Sequence, residues 1–388
     1  MKVALVHDYI KEYGGAERVL EALCEIYPDA PIYTAFYKKG SVAYEHFKNR
    51  RIIASWAQYF PFFAKLASPL RFLTPLIWGS FNFKDYDLVI SSASWYITKG
   101  FGQGPKTPNS KSQIQNKPIE ICYCHTPPRW LYGYTTSVNF QKHKIVRVYA
   151  RVVGHFLRLY DYERAQKVNY FIANSKEVAG RIKKFYGRDS TVIYPPVSLP
   201  HADSKSRIAN SKNRDYFFIV SRIVGAKGLD LAVDAALKAD FKLKIAGSPA
   251  GYYFEHEKLV NKAGSKSNIE FLGQVSDEEL AFLYSGAKAF LALSKDEDFG
   301  ITPVEAMLFG TPVIAFNGGG YKETVVEGKT GVLFDDYSVK GLIEAIKKFD
   351  KLSIKDVDCT SQAENFSKEK FKREIKEFVE KNARIAGS

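Results

Sequence analysis

The chain has 388 residues, 46% hydrophobic and 25% charged, with a formal net charge of +14. This composition is that of a globular protein and excludes a disordered, collagen-like or coiled-coil chain, and the length predicts two domains. No stretch approaches the ~20 apolar residues of a membrane span, and the N-terminal apolar run is too short for a signal peptide. We therefore expect a cytoplasmic location.

The excess positive charge is confined to the first half of the chain. Residues 1–190 hold 28 Lys and Arg against 14 Asp and Glu, whereas residues 191–388 hold 28 of each. This asymmetry favours an anionic partner for the first half: nucleic acid, an acidic membrane surface or a phosphorylated substrate. The chain carries no zinc-finger, helix-turn-helix or RNP motif, so no specific nucleic acid is expected.

In the first half, apolar runs alternate with helical patterns. KVALVHDY predicts a buried strand, and GGAERVLEALCEIYP a Gly-rich turn followed by an amphipathic helix. Further strands are predicted at 87–93, 119–124 and 170–175, and a helix at 143–168. Such alternation predicts a parallel α/β sheet. The Pro-, Ser- and Lys-rich residues 102–118 predict a surface loop.

A polar, proline-containing tract at 191–215 interrupts this pattern, and the alternation then restarts. Strands are predicted at 216–222, 242–247, 269–273, 289–293 and 312–316, each followed by a helical segment. The chain thus divides into a first Rossmann-like domain (1–195), a linker (196–214), a second Rossmann-like domain (215–365) and a C-terminal helix (366–388).

The four cysteines and the acidic pairs do not indicate a metal site. The cysteines form no CxxC pair and are expected to be buried free thiols in a reducing compartment. D-x-D occurs three times, at 85/87, 296/298 and 356/358. Such a pair can chelate Mg²⁺ beneath a nucleotide diphosphate, but three scattered copies weaken the signal, and no metal is expected.

In each half of the chain, one motif follows the first predicted strand. Gly14-Gly15 precedes a helix whose free N–H groups favour an anion, although a tight turn explains the pair equally well. The motif G-x-G-x-x-G is absent, which disfavours a nicotinamide dinucleotide site. Arg222 and Lys227 follow the first strand of the second half, where both can reach a diphosphate at the carboxyl edge of a sheet, or can simply be solvated cations.

The segment SKDEDFGITPVEAMLFGTPVIAF is the strongest signal. It places Glu297 eight residues before Glu305, and two carboxylates at a helix N-terminus can accept from sugar hydroxyls. Thr302 is predicted to be the N-cap of a helix, with Pro303 first and Glu305 third, which would form a capping box. Phe299-Gly300 would bring backbone amides to the same ligand. In addition, His125 follows a predicted strand end, where a packed and a functional histidine are equally expected.

Together these motifs resemble the GT-B glycosyltransferases of family four, known as group 1. The phrases that carry the resemblance are VHDY…GGAER, YCHTPPRW, ANSKEVAGRIKKFYGRDSTVIYPPV, SRIVGAKGLDLAVDA, FLGQVSDEEL and EDFGITPVEAM…GTPVIAF. They cover most of the chain in the family's order. The chain is most similar to bacterial α-mannosyltransferases that use GDP-mannose in surface polysaccharide or glycolipid synthesis.

The resemblance implies an α/β fold of two Rossmann-like doubly wound parallel-sheet domains facing across a cleft, with the C-terminal helix crossing back to the first domain. It implies that Arg222 and Lys227 bind the diphosphate, Glu305 the ribose and Glu297 the transferred sugar. Further donor-binding positions, by the same resemblance, are Gly14, Gly15, Gly273, Val275, Phe299, Gly300, Ile301 and Thr302. His125 matches the family's active-site histidine. With His125, Glu297, Arg222 and Lys227 as the catalytic set, the family's reaction retains anomeric configuration and needs no metal or other cofactor.

The expected partners are therefore a nucleotide sugar and a saccharide or lipid-linked acceptor. The alternatives are a UDP-sugar donor (glucosyl, galactosyl or GlcNAc transfer) or nucleotide-sugar epimerase chemistry. TPPRWLYGY and SRIVGAKGLD depart from the usual patterns, which leaves the acceptor and the donor sugar open.

Residues 55–83 are dense in aromatic residues and leucine, with prolines at 61, 69 and 75 that prevent one long helix. They predict either short helices at a lipid interface or a buried helical hairpin, with equal weight. In the first case the protein would lie peripherally on the inner face of the cell membrane, bound through its basic first domain.

Overall fold

The computed structural model describes residues 1–105, 118–134, 144–198, 214–248, 253–264 and 268–384. The chain forms two compact units. The N-terminal unit comprises Met1–Tyr134, Phe140–Pro196 and Lys368–Ser388, and the C-terminal unit is built on Val197–Ser367.

The N-terminal unit is organised around a sheet of seven parallel strands in the order β3-β2-β1-β4-β5-β6-β7. The strands are β1 (Val3–His7), β2 (Ile32–Thr34), β3 (Ile52–Ala54), β4 (Leu88–Ala93), β5 (Ile119–Cys124), β6 (Tyr170–Ala173) and β7 (Ser190–Val192). The central strands are apolar on both faces because helices cover both sides of a parallel sheet. The register pairs His7 with Ser92 and Ala93 with Cys124, so the carboxyl ends of β1, β4 and β5 lie side by side.

Among the described residues of this unit, six helices connect the strands. They are α1 (Gly15–Ile26), α2 (Val42–Phe47), α3 (Phe63–Leu66), α4 (Thr74–Gly79), α5 (Lys144–Lys167) and α6 (Lys176–Tyr186). Two 3₁₀ turns, Trp56–Tyr59 and Pro69–Leu73, separate the short helices before β4. The predicted loop at 102–118 falls largely on residues 106–117, which lie outside the described residues.

The C-terminal unit repeats this plan with six parallel strands in the order β10-β9-β8-β11-β12-β13. The strands are β8 (Tyr216–Val220), β9 (Lys242–Ala246), β10 (Ile269–Gly273), β11 (Ala287–Ala292), β12 (Val313–Phe316) and β13 (Gly331–Phe334). The helices are α7 (Leu229–Ala239), α8 (Tyr253–Ala263), α9 (Asp277–Ser285), α10 (Ile301–Leu308), α11 (Tyr321–Thr324), α12 (Val339–Phe349) and α13 (Asp356–Glu364). Both units therefore have the predicted Rossmann-like fold.

The last helix, α14 (Lys368–Arg384), returns to the N-terminal unit. Its apolar residues Phe371, Ile375 and Val379 are buried in the core that β1 and α1 form. Lys368 and Lys372 both pair with Glu25 on α1. The predicted return of the C-terminal helix to the first domain is thus confirmed.

The four cysteines are free and buried, as predicted. Cys122 and Cys124 lie inside β5, and burial raises the pKa of the Cys122 thiol well above its usual value. These two thiols are part of the core of the N-terminal unit.

Candidate active site

Lys227 and Glu297 meet at the carboxyl edge of the C-terminal sheet. Lys227 ends a 3₁₀ turn that follows β8, and Glu297 lies in the loop after β11. Lys227 Nζ donates to Glu297 Oε2 across 2.8 Å, and Tyr321 Oη donates to the same oxygen across 3.3 Å. Burial and the Glu297 charge raise the pKa of Tyr321 well above its ordinary value, so its hydroxyl keeps its proton. Two donors therefore hold the Glu297 carboxylate in place.

A glycine turn at 318–320 packs directly against the loop that carries Glu297. The Gly320 N–H donates to the Glu297 carbonyl across 2.9 Å. A Cβ on Gly319 would lie 2.1 Å from that carbonyl oxygen, and one on Gly320 would lie 2.4 Å from the Cα of Phe299. Only glycine fits at these two positions. Sequence analysis did not single out this turn or Tyr321, although three consecutive glycines signal a close backbone approach.

The start of α10 differs from the prediction. The N-cap is Gly300, with φ of +90°, and the helix begins at Ile301. The prediction of Thr302 as N-cap and of a capping box with Glu305 is wrong, because the left-handed Gly300 turns the chain into the helix two residues earlier. Pro303 becomes the third helical residue, where its missing N–H costs nothing because the first N–H groups of a helix have no partner within it. A Cβ on Gly300 would lie 2.7 Å from the ring of Tyr321.

Glu305 is buried on α10, with 3% of its surface exposed. Its Oε2 accepts from the hydroxyl of Tyr284, on α9, across 2.9 Å. Since Glu305 does not cap the helix, its carboxylate depends on other donors, and Tyr284 is one of them. The ribose role of Glu305 stays a prediction.

The other predicted donor-binding positions of this unit follow β8 and β10. Arg222 is exposed just beyond β8, and Gly273 ends β10 with φ of +67°. The Gly247 N–H donates to the Gly273 carbonyl across 2.7 Å, and a Cβ on Gly247 would lie 1.8 Å from the Ser221 carbonyl oxygen. Val275 lies in the loop between β10 and α9. Backbone from three adjacent strands therefore converges at this edge, and Phe299 is buried beside Phe366.

In the N-terminal unit, His125 lies at the end of β5 and is linked to His7 through Ser92. The distances are 2.8 Å from His125 Nε2 to Ser92 Oγ and 3.0 Å from Ser92 Oγ to His7 Nδ1. His7 Nε2 lies 3.4 Å from Oε1 of Glu17, in the first turn of α1. Burial, together with the neighbouring His7, lowers the pKa of His125 to about 3. His125 is therefore neutral at physiological pH.

Gly14 and Gly15 lie at the same corner, at the start of α1. The Gly14 N–H, however, donates to Glu17 Oε2 across 2.9 Å. This bond occupies the Gly14 amide alone, and the expectation that the N–H groups of the following helix favour an anion stays a prediction. The roles of Gly14 and Gly15 in donor binding stay predictions as well.

Residues 55–83 are partly buried and partly exposed, and their contact with lipid stays a prediction. They form short helices, with Phe63, Ile77 and Trp78 buried against the sheet. Their outer side is apolar and exposed, with Tyr59 85% and Phe62 72% exposed. We call this surface the aromatic face; it consists of Trp56, Tyr59, Phe60, Phe62, Leu66, Phe72 and Leu76.

Helix α5 adds a second exposed apolar stripe to the same unit. It is formed by Val148, Val152, Phe156 and Leu159, which recur at helical spacing. Arg147 and Arg151 are exposed beside it. The hydroxyl of Tyr149 donates to the carbonyl of Pro69, which ties α5 to the segment that carries the aromatic face. Sequence analysis treated 143–168 only as a connecting helix and missed this stripe.

Within the described residues, no group of three or more His, Cys, Asp or Glu side chains could hold a metal ion. Asp356, from one D-x-D pair, is engaged in a two-pronged ion pair with Arg214 at 3.0 Å. None of the helices among the described residues is long and apolar enough to cross a membrane.

The sequence has recognisable relatives. Residues 202–366 match the family described as glycosyl transferases group 1. An uncharacterised glycosyltransferase of Methanocaldococcus jannaschii is 29% identical over 195 residues, which are 50% of this chain and 52% of that protein. The mouse α-1,3/1,6-mannosyltransferase ALG2 is 26% identical over 67% of this chain and 68% of its own length. The match to the archaeal relative thus spans about half of that protein's length.

Solved structures share the fold over the whole chain. Anabaena HepE, crystallised with UDP and glucose, matches with a TM-score of 0.68 and 19% identity, covering 98% of this chain and 99% of that one. Sucrose-phosphate synthase from Thermosynechococcus elongatus matches with a TM-score of 0.69 and 18% identity over the full length of both chains. The two Rossmann-like units thus share the fold of these proteins, and residues 202–366 of the chain are similar to the glycosyl transferases group 1.

Proposed function

We propose that this protein is a retaining glycosyltransferase that transfers a sugar, most simply mannose from GDP-mannose, to a saccharide or lipid-linked acceptor. The product would serve surface polysaccharide or glycolipid synthesis. The observation that carries the proposal is the contact of Lys227 with Glu297, within the segment that matches the group 1 family. This contact joins the residue proposed to bind the diphosphate to the residue proposed to bind the sugar.

The remaining donor contacts are assigned by position. Arg222 and Lys227 bind the diphosphate, and the Glu305 carboxylate accepts from the ribose hydroxyls. Backbone groups of Phe299, Gly300, Ile301 and Thr302 surround the transferred sugar. Gly273 and Val275 lie near the base. From the N-terminal unit, the loop at Gly14 and Gly15 contributes to the donor site, and His125 contacts the sugar.

The chemistry follows from where charge develops. As the bond from the sugar to phosphate breaks, negative charge grows on the leaving diphosphate and positive charge on the sugar ring. Arg222 and Lys227 stabilise the first, and such fixed charges are each worth about 3 kcal/mol of barrier. They take the part that a divalent cation plays elsewhere, so we propose that no metal is needed. The acceptor hydroxyl attacks from the face that the diphosphate leaves and passes its proton to the departing phosphate oxygen, which retains configuration.

A UDP-sugar is a second candidate for the nucleotide-sugar donor. The structural neighbour HepE was crystallised with UDP, glucose and UDP-glucose, which favours a UDP-sugar donor. The mannosyltransferase relative ALG2 favours mannose instead. Both donors fit the same site residues. Epimerase chemistry would interconvert donor sugars without an acceptor, so product analysis separates it from transfer.

On the acceptor side, we propose that the protein binds an anionic membrane surface on the inner face of the cell membrane. The aromatic face and the α5 stripe support this, because soluble monomers rarely leave so much apolar surface exposed. The exposed Arg147 and Arg151 add the charge that anionic lipid attracts. A lipid-linked acceptor would be presented at such a surface.

The deciding experiment is a thermal-shift panel with GDP-mannose, GDP-fucose, UDP-glucose, UDP-galactose and UDP-GlcNAc, without added metal. A ligand at 100 times its dissociation constant stabilises the fold by about 2.7 kcal/mol. We expect GDP-mannose to give the largest shift, and Glu305→Gln to abolish it. Glu344→Gln, on an exposed part of α12, is the matched control and should leave the shift intact.

A larger shift with a UDP-sugar would replace GDP-mannose by the second candidate. If no nucleotide sugar shifts the transition at saturating concentration, the proposed donor site is wrong. If one nucleotide sugar does give a shift, transfer is tested by incubating that donor with a membrane extract and analysing the products. Interconverted nucleotide sugars without a glycosylated product would identify the epimerase.

A further inference from the structure

His7, Glu17, Ser92 and His125 form one continuous hydrogen-bonded row inside the N-terminal unit. The row begins in the first turn of α1 and crosses the carboxyl ends of β1, β4 and β5. All four side chains are buried. A buried row of this kind needs each proton in a definite place, because an unmatched donor or acceptor loses its full hydration energy.

The proton positions can be read from the Glu17 end. A carboxylate only accepts, and Glu17 takes one N–H from the Gly14 backbone. Its other oxygen faces His7 Nε2, which must therefore hold a proton. In the neutral form of the His7 ring, a proton on Nε2 leaves the lone pair on Nδ1.

The lone pair on His7 Nδ1 accepts the hydroxyl proton of Ser92. The Ser92 oxygen can then only accept from its second neighbour, the Nε2 of His125. Asp8 does not compete for either ring, because its carboxylate accepts from Ser94, Thr98 and two backbone amides of the loop after β4.

We infer that Glu17, acting through His7 and Ser92, fixes His125 in the tautomer with its proton on Nε2 and its lone pair on Nδ1. Among the described residues, no partner for Nδ1 is present. His125 would therefore accept a hydrogen bond from a ligand hydroxyl and could not donate one. Glu17 is a positioning residue, and the use of His125 in the reaction rests on the proposed function.

The substitution Glu17→Gln tests this inference because it should reverse the direction of each hydrogen bond between residue 17 and His125. The Gly14 N–H requires an oxygen, so the amide oxygen of Gln faces Gly14 and its NH₂ group faces His7. His7 Nε2 must then accept, and its Nδ1 must donate to Ser92. The Ser92 hydroxyl turns to His125 Nε2, and the His125 proton moves to Nδ1.

The measurement is ¹⁵N NMR of the full-length protein labelled at histidine, since ring shifts separate protonated from unprotonated nitrogens. The His125 signals are assigned by their loss in His125→Gln. We expect the proton on Nε2 in the wild type, on Nδ1 in Glu17→Gln, and no single tautomer in Ser92→Ala. Glu21→Gln is the matched control: Glu21 lies one turn further along α1, contacts Tyr13 and His46, and is outside the row.

A wild-type signal with the proton on Nδ1 would overturn the inference without any variant, and so would an unchanged tautomer in a folded Glu17→Gln. These outcomes do not depend on catalysis, so they are separate from a failure of the proposed function. If transfer is observed, Glu17→Gln should lower kcat/KM by about tenfold, as for one lost hydrogen bond. Nucleotide affinity should change little, because Arg222, Lys227 and Glu305, the proposed diphosphate and ribose ligands, belong to the C-terminal unit.

Discussion

Lys227 Nζ and Glu297 Oε2 lie 2.8 Å apart and form a partly exposed ion pair. A pair exposed to this extent adds little to stability. Its effect is on position, because the lysine has three donors and can keep Glu297 while it also binds a phosphate oxygen. In the proposed donor site, the pair would therefore link diphosphate binding to the orientation of the carboxylate that is assigned to the sugar.

Substitutions in this pair should have different effects on binding and on transfer. Lys227→Met removes a cation from the diphosphate, and we expect weaker nucleotide binding together with a 10²-fold or larger loss of kcat, about 3 kcal/mol. Glu297→Gln leaves Lys227 available, so the affinity for the free nucleotide diphosphate should be equal or higher while transfer falls. Calorimetric titration and initial rates measure both quantities. Weaker nucleotide binding in Glu297→Gln would contradict the assignment of Glu297 to the sugar.

Gly300→Ala should lower both stability and donor affinity. An alanine at φ of +90° is strained by about 1–2 kcal/mol, and its Cβ would also meet the buried ring of Tyr321 at 2.7 Å. We expect the clash to add about 1–3 kcal/mol to this loss of unfolding free energy. Each kcal/mol should lower the melting temperature by roughly 2–4 °C.

Gly328→Ala separates these two effects. Gly328 also has a positive φ, of +71°, but a Cβ there would meet nothing within 4 Å. Scanning calorimetry of the C-terminal transition should therefore show a clearly smaller shift for Gly328→Ala. Equal shifts would mean that strain alone accounts for Gly300, and that its approach to Tyr321 is unimportant.

The sequence predicted the long and strongly apolar elements well. The runs at 119–124 and 269–273 became strands with those bounds, and the predicted helix at 143–168 is α5. Strands β2, β3 and β7 escaped prediction because each has three residues, too few for a periodic pattern. Their pairing comes from neighbouring strands, which a local sequence window does not contain.

The roles of the predicted site residues stay predictions, whereas the start of α10 was predicted wrongly. The motif S/T-x-x-E occurs both at Ser276 and at Thr302. Ser276 and Glu279 form a true capping box on α9, whereas Thr302 lies inside α10. What separates the two is the left-handed Gly300, held by its packing on Tyr321, and no local rule supplies that contact. The His125 row was missed for a similar reason, because its members come from four separate elements.

Acid should destabilise the N-terminal unit partly through His125. Its pKa is about 3 in the folded protein and about 6.5 in the unfolded chain, so unfolding takes up a proton below pH 6.5. The contribution of the neutral His125 to the free energy of unfolding is fully present above pH 6.5 and is lost as the pH falls toward 3. Between pH 7 and pH 5 this one group should cost about 2 kcal/mol.

Tryptophan fluorescence can follow this effect, because the four tryptophans at 56, 78, 95 and 130 all belong to the N-terminal unit. Urea unfolding at pH 7 and pH 5 should show a smaller loss of stability in His125→Gln than in the wild type. His256→Gln, in the C-terminal unit, is the control. An equal loss in wild type and His125→Gln would show that this histidine is not held neutral.

Membrane binding should require both the arginines and the apolar surface of the N-terminal unit. Arg147→Gln/Arg151→Gln should weaken binding to phosphatidylglycerol vesicles about 30-fold at low salt, at ~1 kcal/mol per cation near the surface. Tyr59→Ser/Phe62→Ser should weaken binding at high salt as well, because it removes apolar contact and leaves the charge unchanged. Lys340→Gln/Lys347→Gln, on exposed positions of α12, removes the same charge from the other unit and should have little effect. Co-sedimentation with anionic and neutral vesicles measures all three. Equal weakening by the two charge variants would point to a nonspecific effect of net charge, and the proposed membrane face would then be wrong.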